Sequence, residues 1–445
     1  MSDKPLHDLS ELLDWVKDRY RKLEVKVDSI SINDCAPWYY DETEGCIRNQ
    51  KRDFFQIYGL RQYRGDELIA EQPVIVQDEI GFLGIISCNI GGTWHYLMQA
   101  KIEPGNVNVV QISPTLQATR SNFTGKHGGR IPEYLEVFLH AKPSDIIVDQ
   151  IQSEQSSRFL RKRNRNVIIR IEEMLPETDS HKWMTLRQIK ELMRHDNLVN
   201  MDTRTVLSCM PYVLMGEEAD VPFDNKKYFY KTAWTMDMTT IAELYHEIND
   251  MKMLEDYRSK IISLANLDSW EMRDKEIACR EEYPFRVIFC DIHIEGREVT
   301  HWRQPLFASN GRAVFGLISC DDNGVLKFLV KVRPEPGCFD VAEIGPTIQK
   351  EHKASGNRTL DEVEKLFSDR LDTGKGIIVD RILSEEGGRF YQEENRNVIM
   401  RVDKDEIPDL PKGYVWSDYG TLNILTQINN CLNIQLRNLL SLLEL

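Results

Sequence analysis

Hydrogen-bonding side chains are concentrated in residues 111–123, which read QISPTLQATRSNF and surround Ile112 and Leu116. The hydrogen-bonding residues of this run are Gln111, Ser113, Thr115, Gln117, Thr119, Arg120, Ser121 and Asn122. Pro114 disfavours helix at the preceding residue, so we expect the run to leave a strand and cross the surface as a loop. Many uncharged donors and acceptors with a single arginine favour a site for a polyhydroxylated ligand. The alternative is an ordinary polar loop.

The chain contains a second, altered copy of this segment and its surroundings. Residues 72–117 align with residues 304–349 at a constant offset of 232, without a gap, and 16 of the 46 positions are identical. A second block, residues 149–170, aligns with residues 380–401 with 12 identities in 22 positions. Identity at this level over gap-free blocks indicates an internal duplication.

The two copies differ in a segment that bears on ligand binding. The first copy reads RFLRKRNRN and has three basic residues at 161–163, where the second has Gln, Glu and Glu at 392–394. Arginine and lysine are the side chains best suited to hold a diphosphate. We therefore expect the ligand chemistry in the N-terminal copy. Drift on a solvated face is the alternative explanation.

The elements that position these segments are predicted from the spacing of apolar residues. Residues 7–24 have a helical period, whereas residues 54–111 form short strand-like runs punctuated by glycines. Shorter helices are predicted at 132–139 and 186–193, and a long amphipathic helix at about 239–266.

The domain organisation follows from the duplication. Residues 210–234 contain two prolines, a glycine and an acidic pair, as is typical of a linker. We expect an α+β fold of two tandem domains, each a mixed β-sheet core with flanking helices. The expected boundaries are residues 1–215 for the first domain, 216–235 for the linker and 236–445 for the second domain.

Composition restricts the class of protein. The 445 residues, 41% hydrophobic and 29% charged, are typical of a globular protein of two or three domains. Because there is no long apolar run and no basic, apolar leader, we expect neither a membrane span nor a secretory signal. Nine cysteines without a CxxC pair indicate reduced thiols and a cytoplasmic protein. A net charge of −15 argues against nucleic-acid binding.

Six motifs along both halves are long enough to compare with known families. They are EPGN (103–106), QISPTLQATRSNF (111–123), HGGRIPEYLEVF (127–138), SEQSSRFLRKRNRN (153–166), HWRQPL (301–306) and EENRN (393–397). In this order they resemble the NDP-hexose 2,3-dehydratases over nearly the whole chain. Those enzymes act on nucleoside-diphosphate 4-keto-6-deoxyglucose in pathways to deoxysugars.

The resemblance implies two tandem domains related to the Nudix hydrolase fold, assembled as a homodimer. It implies a dTDP-linked 4-keto-6-deoxy sugar as substrate and a product that passes to a 3-ketoreductase. Each half then has a sugar-nucleotide pocket, of which we expect only the N-terminal one to be catalytic and the C-terminal one to be vestigial. Accordingly, changes at Gln349, Arg389 or Arg396 should leave kcat within a few-fold.

The chain departs from true Nudix hydrolases, because the Gx5Ex7REUxEExGU box that supplies their magnesium ligands is missing from the sequence. HExxH and paired CxxC motifs are missing too, and we expect Cys290 and His293, the CxxH pair, to lie in the core. Since GxGxxG is also missing, we expect neither metal nor cofactor. The alternatives are a Nudix-like protein that binds sugar nucleotides without turnover and a metal-dependent sugar-nucleotide hydrolase.

The implied carbon–oxygen lyase reaction removes the C3 proton of the sugar and expels the C2 hydroxyl. The enol that results becomes a 3,4-diketo-2,6-dideoxy sugar nucleotide. The C4 ketone of the substrate acidifies the C3 proton, so no redox cofactor is needed. The site requires a base with a pKa near the working pH, donors for the developing enolate oxygen and an acid for the departing hydroxyl.

Residue types suggest the catalytic candidates. His127 is suited to be a base near neutral pH, with a solvated loop histidine as the alternative. Tyr134 can protonate the leaving hydroxyl or simply pack in a helix. Strand alternation places Lys101 and Glu103 on one face, either as oxyanion donor and base or as a surface ion pair. Arg120 suits the C4 oxygen or a phosphate.

A further set of residues is expected to bind the substrate. It consists of Thr115, Gln117, Ser121, Asn122, Arg158, Arg165, Asn166 and Trp302. Arg158 and Arg165 suit the diphosphate, and Trp302 can stack on the nucleobase or belong to the core. Because Arg158, Arg165 and Asn166 have counterparts in the second copy, a role in the fold or in a second nucleotide pocket is equally open for them.

Overall fold

The structure is a computed structural model that describes residues 4–52, 54–119, 132–215, 231–295, 299–352 and 359–443. These residues form four mixed β-sheets with flanking helices, which confirms the predicted α+β class. In the part of the chain that is described, no helix is long and apolar enough to cross a membrane.

The first half contributes five helices and thirteen strands to the described structure. They are α1 (Leu9–Arg21), β1 (Val25–Ser29), β2 (Trp38–Asp41), β3 (Cys46–Asn49), β4 (Gln56–Arg64), β5 (Glu67–Val76), β6 (Gly81–Ile90), β7 (Thr93–Ile102), β8 (Val110–Ser113), β9 (Leu116–Ala118), α2 (Leu135–Leu139), β10 (Ile146–Ser153), β11 (Phe159–Leu160), β12 (Arg163–Ile171), β13 (His181–Thr185), α3 (Leu186–Leu192), α4 (Met201–Ser208) and α5 (Tyr212–Met215).

The second half repeats this order after a longer helix. Its described elements are α6 (Met238–Leu254), β14 (Tyr257–Ile262), β15 (Trp270–Met272), β16 (Glu276–Cys279), β17 (Phe285–Ile294), β18 (His301–Ser309), β19 (Val314–Asp322), β20 (Val325–Pro334), β21 (Ala342–Pro346), β22 (Ile348–Lys350), α7 (Glu362–Thr373), β23 (Ile377–Ser384), β24 (Phe390–Tyr391), β25 (Glu394–Arg401), β26 (Tyr414–Asp418), α8 (Tyr419–Leu425) and α9 (Ile434–Ser441).

Each half forms one larger and one smaller sheet. In the first half the larger sheet has the order β10-β12-β6-β7-β13, with β8 on β7 and β9 on β6, and the smaller has the order β11-β5-β4-β3-β2. The second half has β21-β20-β19-β25-β23, with β22 on β19 and β26 on β20, and β15-β16-β17-β18-β24. The predicted strand runs between residues 54 and 111 are therefore confirmed as β4 to β8.

The duplication extends to individual hydrogen bonds. Ser87 Oγ donates to the carbonyl of Ile169 at 2.9 Å, and its counterpart Ser319 Oγ donates to that of Met400 at 3.0 Å. These serines lie in the repeated ISC triplets and tie β6 to β12 and β19 to β25. The identical residues of the two copies thus keep the same strands in the same register.

The two halves exchange strands. β1 of the first half pairs antiparallel with β17 of the second, and β14 of the second pairs antiparallel with β4 of the first. The main hydrophobic core accordingly contains buried residues from both halves, such as Leu12, Ile112, Leu317 and Leu436. Neither half therefore buries its apolar surface without the other.

The repeated EPG turns explain how closely the halves approach. Gly105 N donates to the carbonyl of Gly387, and Gly337 N donates to the carbonyl of Ser156, both at 2.8 Å. A Cβ atom on Gly105 would overlap the carbonyl oxygen of Phe390 in the opposite half. Only glycine allows the backbones to come so close, so each EPG turn is a contact with the loop before β11 or β24 of the other half.

Two predicted helices are confirmed and two require correction. α1 begins with a capping box of Asp8 and Glu11 and buries Leu12 and Val16, and α3 lies where expected. The helix predicted from residue 132 begins only at Leu135, because Tyr134 has a left-handed backbone with φ 62°.

The helix predicted at 239–266 was wrong in its second part. α6 ends at Leu254, Asp256 has φ 45°, and β14 follows as a strand. Most of the predicted linker, residues 216–230, lies outside the described residues. At its described end Thr232 and Ala233 are buried, and Thr232 Oγ1 donates to the carbonyl of Leu326 at 2.6 Å.

Candidate active site

Strand exchange creates a cavity of about 1160 Å³ that both halves line, called here the first cavity. Its polar wall from the first half includes Lys101, Glu103, Gln117, Glu154, Lys162 and Asp202. The second half supplies His301, Trp302, Arg303, Gln304, Glu386 and Arg389. A cavity of this size and polarity suits a ligand as large as a nucleotide sugar.

Lys101 and Glu103 project into the first cavity from the end of β7. Lys101 Nζ lies 3.0 Å from Glu103 Oε1, so the two side chains share one face as alternation predicts. Gln117 Nε2 donates to the same carboxylate at 3.4 Å, and Asn200 Nδ2 donates to Gln117 Oε1 at 3.3 Å. This chain of contacts fixes the lysine and the carboxylate at the cavity wall.

Asp202 is a buried acid in the first turn of α4, with 1% of its surface exposed. Its Oδ2 has no hydrogen-bond partner among the described residues. Burial, reinforced by the charges of Glu154, Glu386 and Glu103, raises its pKa well above the ordinary range. The helix N-terminus opposes this shift by at most about 2 kcal/mol. Burial therefore favours the protonated form of Asp202, the form that can donate a proton.

Glu386 is another buried acid of the first cavity, and its pKa is also raised. Burial and then the charge of Glu103 raise the pKa of Glu386 to about 7, against the opposing charges of Arg389 and Lys101. A carboxyl group that titrates near neutrality is suited to act as a general base. The first cavity thus contains two buried carboxyl groups whose environments raise their pKa values.

Glu154 and Lys162 complete the polar wall of the first half. Burial raises the pKa of Glu154, and Asn164 Nδ2 donates to its Oε2 at 2.6 Å. Lys162 Nζ donates to the carbonyl of Glu79, and burial together with the charge of Arg389 lowers the pKa of Lys162 to about 8. Lys162 is the member of the basic run at 161–163 that lines this cavity.

The second half supplies an aromatic ring and an arginine that is held without a carboxylate partner. Trp302 Nε1 donates to Gln304 Oε1 at 3.1 Å, and Gln304 Nε2 donates to the carbonyl of Gly388 at 2.8 Å. The Arg389 guanidinium lies 4.5 Å from the centre of the Phe55 ring. Within the described ranges no carboxylate lies within ion-pair distance of Arg389, whose Nε has no hydrogen-bond partner there.

Thr115 lines the first cavity, but its hydroxyl is hydrogen-bonded within the sheet. Its hydroxyl donates to the carbonyl of Leu97 and accepts from Ile86 N at 3.0 Å, which leaves it committed to the sheet. Its carbonyl lies 3.0 Å from Nε2 of the buried His181. Burial lowers the pKa of His181, so this ring is a neutral imidazole that donates to Thr115.

The structure does not bring the remaining described candidates into the first cavity. Arg165 is exposed and forms a bidentate pair with Asp149 at 2.6 Å, and Asn166 is buried and donates to the carbonyl of Asn164 at 3.1 Å. Tyr134 Oη donates to the carbonyl of Pro176 at 2.9 Å. All three side chains are therefore engaged in contacts within the fold.

Four candidates, Arg120, Ser121, Asn122 and His127, lie outside the described residues. The described residues on either side of that stretch, Thr119 and Pro132, both line the first cavity. A role for the four residues in ligand binding or catalysis stays a prediction.

Arg158 lies in a second cavity of about 800 Å³, which repeats the first with the halves reversed. Here the second half supplies Arg333, Glu335 and Gln349, and the first half supplies Gln72 and Arg158. Gln349 Nε2 donates to Glu335 as Gln117 does to Glu103. Arg158 Nη2, unlike Arg389, is paired with Glu351 Oε2 at 2.9 Å. The predicted diphosphate ligands Arg158 and Arg165 are therefore not neighbours of Lys101.

Sequence reasoning did not single out several residues of the first cavity and placed another in the wrong half. Glu154, Asp202, Gln304 and Glu386 are among those it did not single out, and Arg389 is the one it assigned to the second half alone. The repeat alignment pairs Arg389 with Arg158, but only the exchange of strands shows that each belongs to the cavity of the opposite half. Neither Asp202 nor Glu386 stands in a motif that would have marked it.

The groups of the first cavity define a site for acid–base chemistry on a polar, anionic ligand. Comparison with known proteins agrees: the profile of the NDP-hexose 2,3-dehydratases matches residues 9–210 and 241–443. The chain belongs to the NDP-hexose 2,3-dehydratase family, as its motifs predict. Its relation to the Nudix fold stays a prediction.

Three relatives carry the name dTDP-4-dehydro-6-deoxy-alpha-D-glucopyranose 2,3-dehydratase. The protein from Saccharopolyspora spinosa is 36% identical over 438 residues, 97% of this chain and 90% of that protein. The one from Streptomyces violaceoruber is 35% identical over 435 residues, 96% of this chain and 95% of that protein. The one from Amycolatopsis orientalis is 34% identical over 441 residues, 96% of this chain and 88% of that protein. The similarity thus extends through both halves.

Proposed function

We propose that this chain is a hydro-lyase that eliminates water across C2 and C3 of dTDP-4-keto-6-deoxyglucose. Its family and the names of its relatives support this reaction class. The observation that carries the proposal is the first cavity, which is lined by Lys101 and by two buried carboxyl groups with raised pKa values, Asp202 and Glu386.

Glu386 is the proposed base for the C3 proton. Its pKa of about 7 lets a useful fraction accept a proton at neutral pH while keeping the conjugate acid strong enough to release it. The charge of Glu103 helps to set this value. His127 remains the alternative base.

Lys101 and Asp202 are the proposed donors to the two oxygens that gain charge. Lys101, held by Glu103 at 3.0 Å, donates to the C4 oxygen as the enolate forms. A donor aimed at such an oxygen typically contributes a factor of ~10²–10³ in rate. Asp202, kept protonated by burial, gives its proton to the departing C2 hydroxyl, which leaves as water.

The nucleotide is proposed to lie toward the second half of the chain. Trp302 offers a ring for the nucleobase, and Arg389 and Arg303 offer guanidinium groups for the diphosphate. Arg19 and Lys51 also line this cavity. These cations are needed because the net charge of −15 repels a dianionic ligand elsewhere on the surface.

Incubation with dTDP-4-keto-6-deoxyglucose in the presence of a chelator, without added nicotinamide, tests the reaction. The expected product has lost one water and carries adjacent ketones at C3 and C4, which a 1,2-diamine traps as a quinoxaline detectable by mass spectrometry. In deuterated water the C3 hydrogen should be lost together with the C2 hydroxyl. A requirement for added nicotinamide or metal would contradict the proposal.

The same incubation separates the two alternative functions. Magnesium-dependent release of dTMP would indicate a sugar-nucleotide hydrolase, and calorimetric binding of unchanged substrate would indicate a binding protein. Neither the hydrolase nor the binding protein would require both a protonated carboxylic acid and a carboxyl group that titrates near neutrality.

Three further features belong to the proposal. The chain forms a homodimer, which light scattering would show as twice the chain mass of 51.9 kDa. It works in the cytoplasm, which its nine free cysteines support. Its diketone product is consumed by a 3-ketoreductase, because a vicinal diketone is reactive and has a ketone at C3 to reduce.

A further inference from the structure

Three side chains with metal-binding atoms meet across the pair of strands β17 and β18. Asp291 and His293 are two residues apart on β17, and His301 lies directly opposite His293 on β18. His301 Nε2 lies 2.8 Å from Asp291 Oδ1, and His293 Nε2 lies 3.6 Å from Asp291 Oδ2. The two imidazole rings are stacked, with centres 3.9 Å apart and planes 10° apart.

We propose that Asp291, His293 and His301 bind one divalent transition-metal ion, with Zn²⁺ the preferred ion. One ligand atom from each residue lies within 4.8 Å of the other two. Zn²⁺ bonds imidazole nitrogen and carboxylate oxygen at about 2.0–2.2 Å, so its tetrahedral ligands lie about 3.5 Å apart. The three side chains approach that arrangement through side-chain rotations alone, since the strand register already holds them side by side.

The arrangement differs from an ordinary ion-pair cluster. Asp291 Oδ1 accepts from Arg303 Nε at 2.9 Å, so the carboxylate keeps a cationic partner when the histidines bond a metal ion. The two stacked imidazoles each direct a ring nitrogen toward the same carboxylate, and a ring nitrogen can bond a metal cation through its lone pair. Coordination gives both rings a favourable partner at once.

The ligand set selects the kind of ion. Two imidazole nitrogens and one carboxylate oxygen favour Zn²⁺, Ni²⁺ or Cu²⁺ over Mg²⁺ and Ca²⁺, which prefer oxygen ligands alone. The side chains of His293 and His301 are 50% and 47% exposed, so water can complete the coordination sphere. Because His301 also lines the first cavity, the ion would sit at the rim of that cavity.

No single sequence motif marks this site, because its ligands come from two strands. The only spacing cue, Cys290 and His293, suggested a pair in the core. Cys290 is indeed buried, which confirms half of that expectation, but His293 points to solvent because residues three apart on a strand face opposite sides.

Zinc titration of the full-length chain by calorimetry, after chelator treatment and dialysis, tests the proposal without reference to dehydratase activity. We expect one zinc ion per chain, with binding at least about tenfold weaker in His293→Ala and in His301→Ala, as is common when metal-site residues are removed. The control His246→Ala removes an exposed histidine of α6 that lies 3.8 Å from Asp250 and should bind zinc like the wild type.

A second readout identifies the ligand atoms. Cobalt substitution should give a visible spectrum without the thiolate charge-transfer band that cysteine ligation would produce. No saturable zinc binding by the wild type, a thiolate band, or unchanged affinity in either His293→Ala or His301→Ala would overturn the proposal. Matching melting temperatures in the three variants ensure that a loss of binding reflects the ligands rather than the fold.

Discussion

The two cavities of the chain are built from matching strands but carry different chemistry. In the repeat alignment, Asp202, Glu386, Trp302 and Lys162 of the first cavity correspond to Gln435, Gln155, Ala70 and Glu393, of which Ala70 lines the second cavity. Both keep a carboxylate bonded by a glutamine that is bonded in turn by an asparagine. The duplication therefore preserved the frame of the site twice. Burial raises the pKa of Glu335 in the second cavity to about 7, as it does that of Glu386 in the first, whereas the acid Asp202 has a glutamine, Gln435, at the matching position.

Arg389 and Arg158, which occupy matching positions in the repeat, also differ in their contacts. Arg389 in the first cavity stacks on Phe55 and has no carboxylate within ion-pair distance in the described structure, whereas Arg158 is held by Glu351 at 2.9 Å. Arg389 is surrounded at longer range by the charges of Glu386, Glu103, Glu79 and Glu154, but a ligand would not have to break a direct ion pair to reach it, as it would at Arg158. For this reason the diphosphate is proposed to lie in the first cavity.

The largest effect is expected at the proposed base. Glu386→Gln keeps the shape of the side chain but cannot accept a proton, so kcat should fall by ~10² or more. Because the active form is deprotonated, kcat/KM of the wild type should rise with pH through about 7, and the variant should lose this rise. pH–rate profiles of both proteins check the prediction.

The control for this variant is the residue that the repeat aligns with Glu386. That residue is Gln155, and Gln155→Ala should leave the pH profile of kcat/KM unchanged. If Glu386→Gln retained a rise near pH 7 and near-normal turnover, another group, with His127 the first candidate, would be the base.

A similar loss of turnover is expected at the proposed acid. Asp202→Asn removes the proton for the leaving hydroxyl without changing the size of the side chain, and kcat should fall by ~10² with little change in KM. Steady-state kinetics beside thermal melts would show this. Since charged Asp202 is disfavoured in its buried position, the variant should be at least as stable as the wild type. Full activity in Asp202→Asn would remove it from the mechanism.

A smaller effect is expected from the arginine of the first cavity. Arg389→Ala should weaken binding of dTDP by about 1.5–3 kcal/mol, the usual worth of a hydrogen bond to a charged group. Arg165→Ala is the matched control, because its exposed pair with Asp149 leaves it outside both cavities and its loss should cost less than about 1 kcal/mol in stability. Calorimetry with dTDP would detect the difference, and equal affinities in the two variants would contradict the assignment.

This prediction replaces the one drawn from sequence, in which Arg389 belonged to an inactive second half. The duplication, the strands and the Lys101–Glu103 pair could be predicted because alternation and repeat spacing are local properties. The contribution of Trp302 and Arg389 to the same cavity as Lys101 was not local, since it depends on strands β1 and β14 pairing across the halves. No periodicity in the chain reports such an exchange.

The protonation of buried acids was the other feature that could not be predicted from the sequence. Asp202 looks like an ordinary first-turn helix residue, and its protonation depends on burial and on three carboxylates that lie far from it in sequence. The helix predicted at 239–266 failed for a related reason, because β14 is stabilised by its partner β4 rather than by its own propensity.

One substitution made in both cavities tests the central claim most directly. Glu103 and Glu335 occupy matching positions, and each accepts a hydrogen bond from the matching glutamine. The measurement is kcat for Glu103→Gln and Glu335→Gln under identical conditions, with melts to compare stability. If the first cavity carries the reaction, Glu103→Gln should lower kcat by ~10² or more, as expected when the partner of a catalytic lysine is lost, and Glu335→Gln should leave it within a few-fold. Loss of turnover in Glu335→Gln with normal turnover in Glu103→Gln would contradict the account.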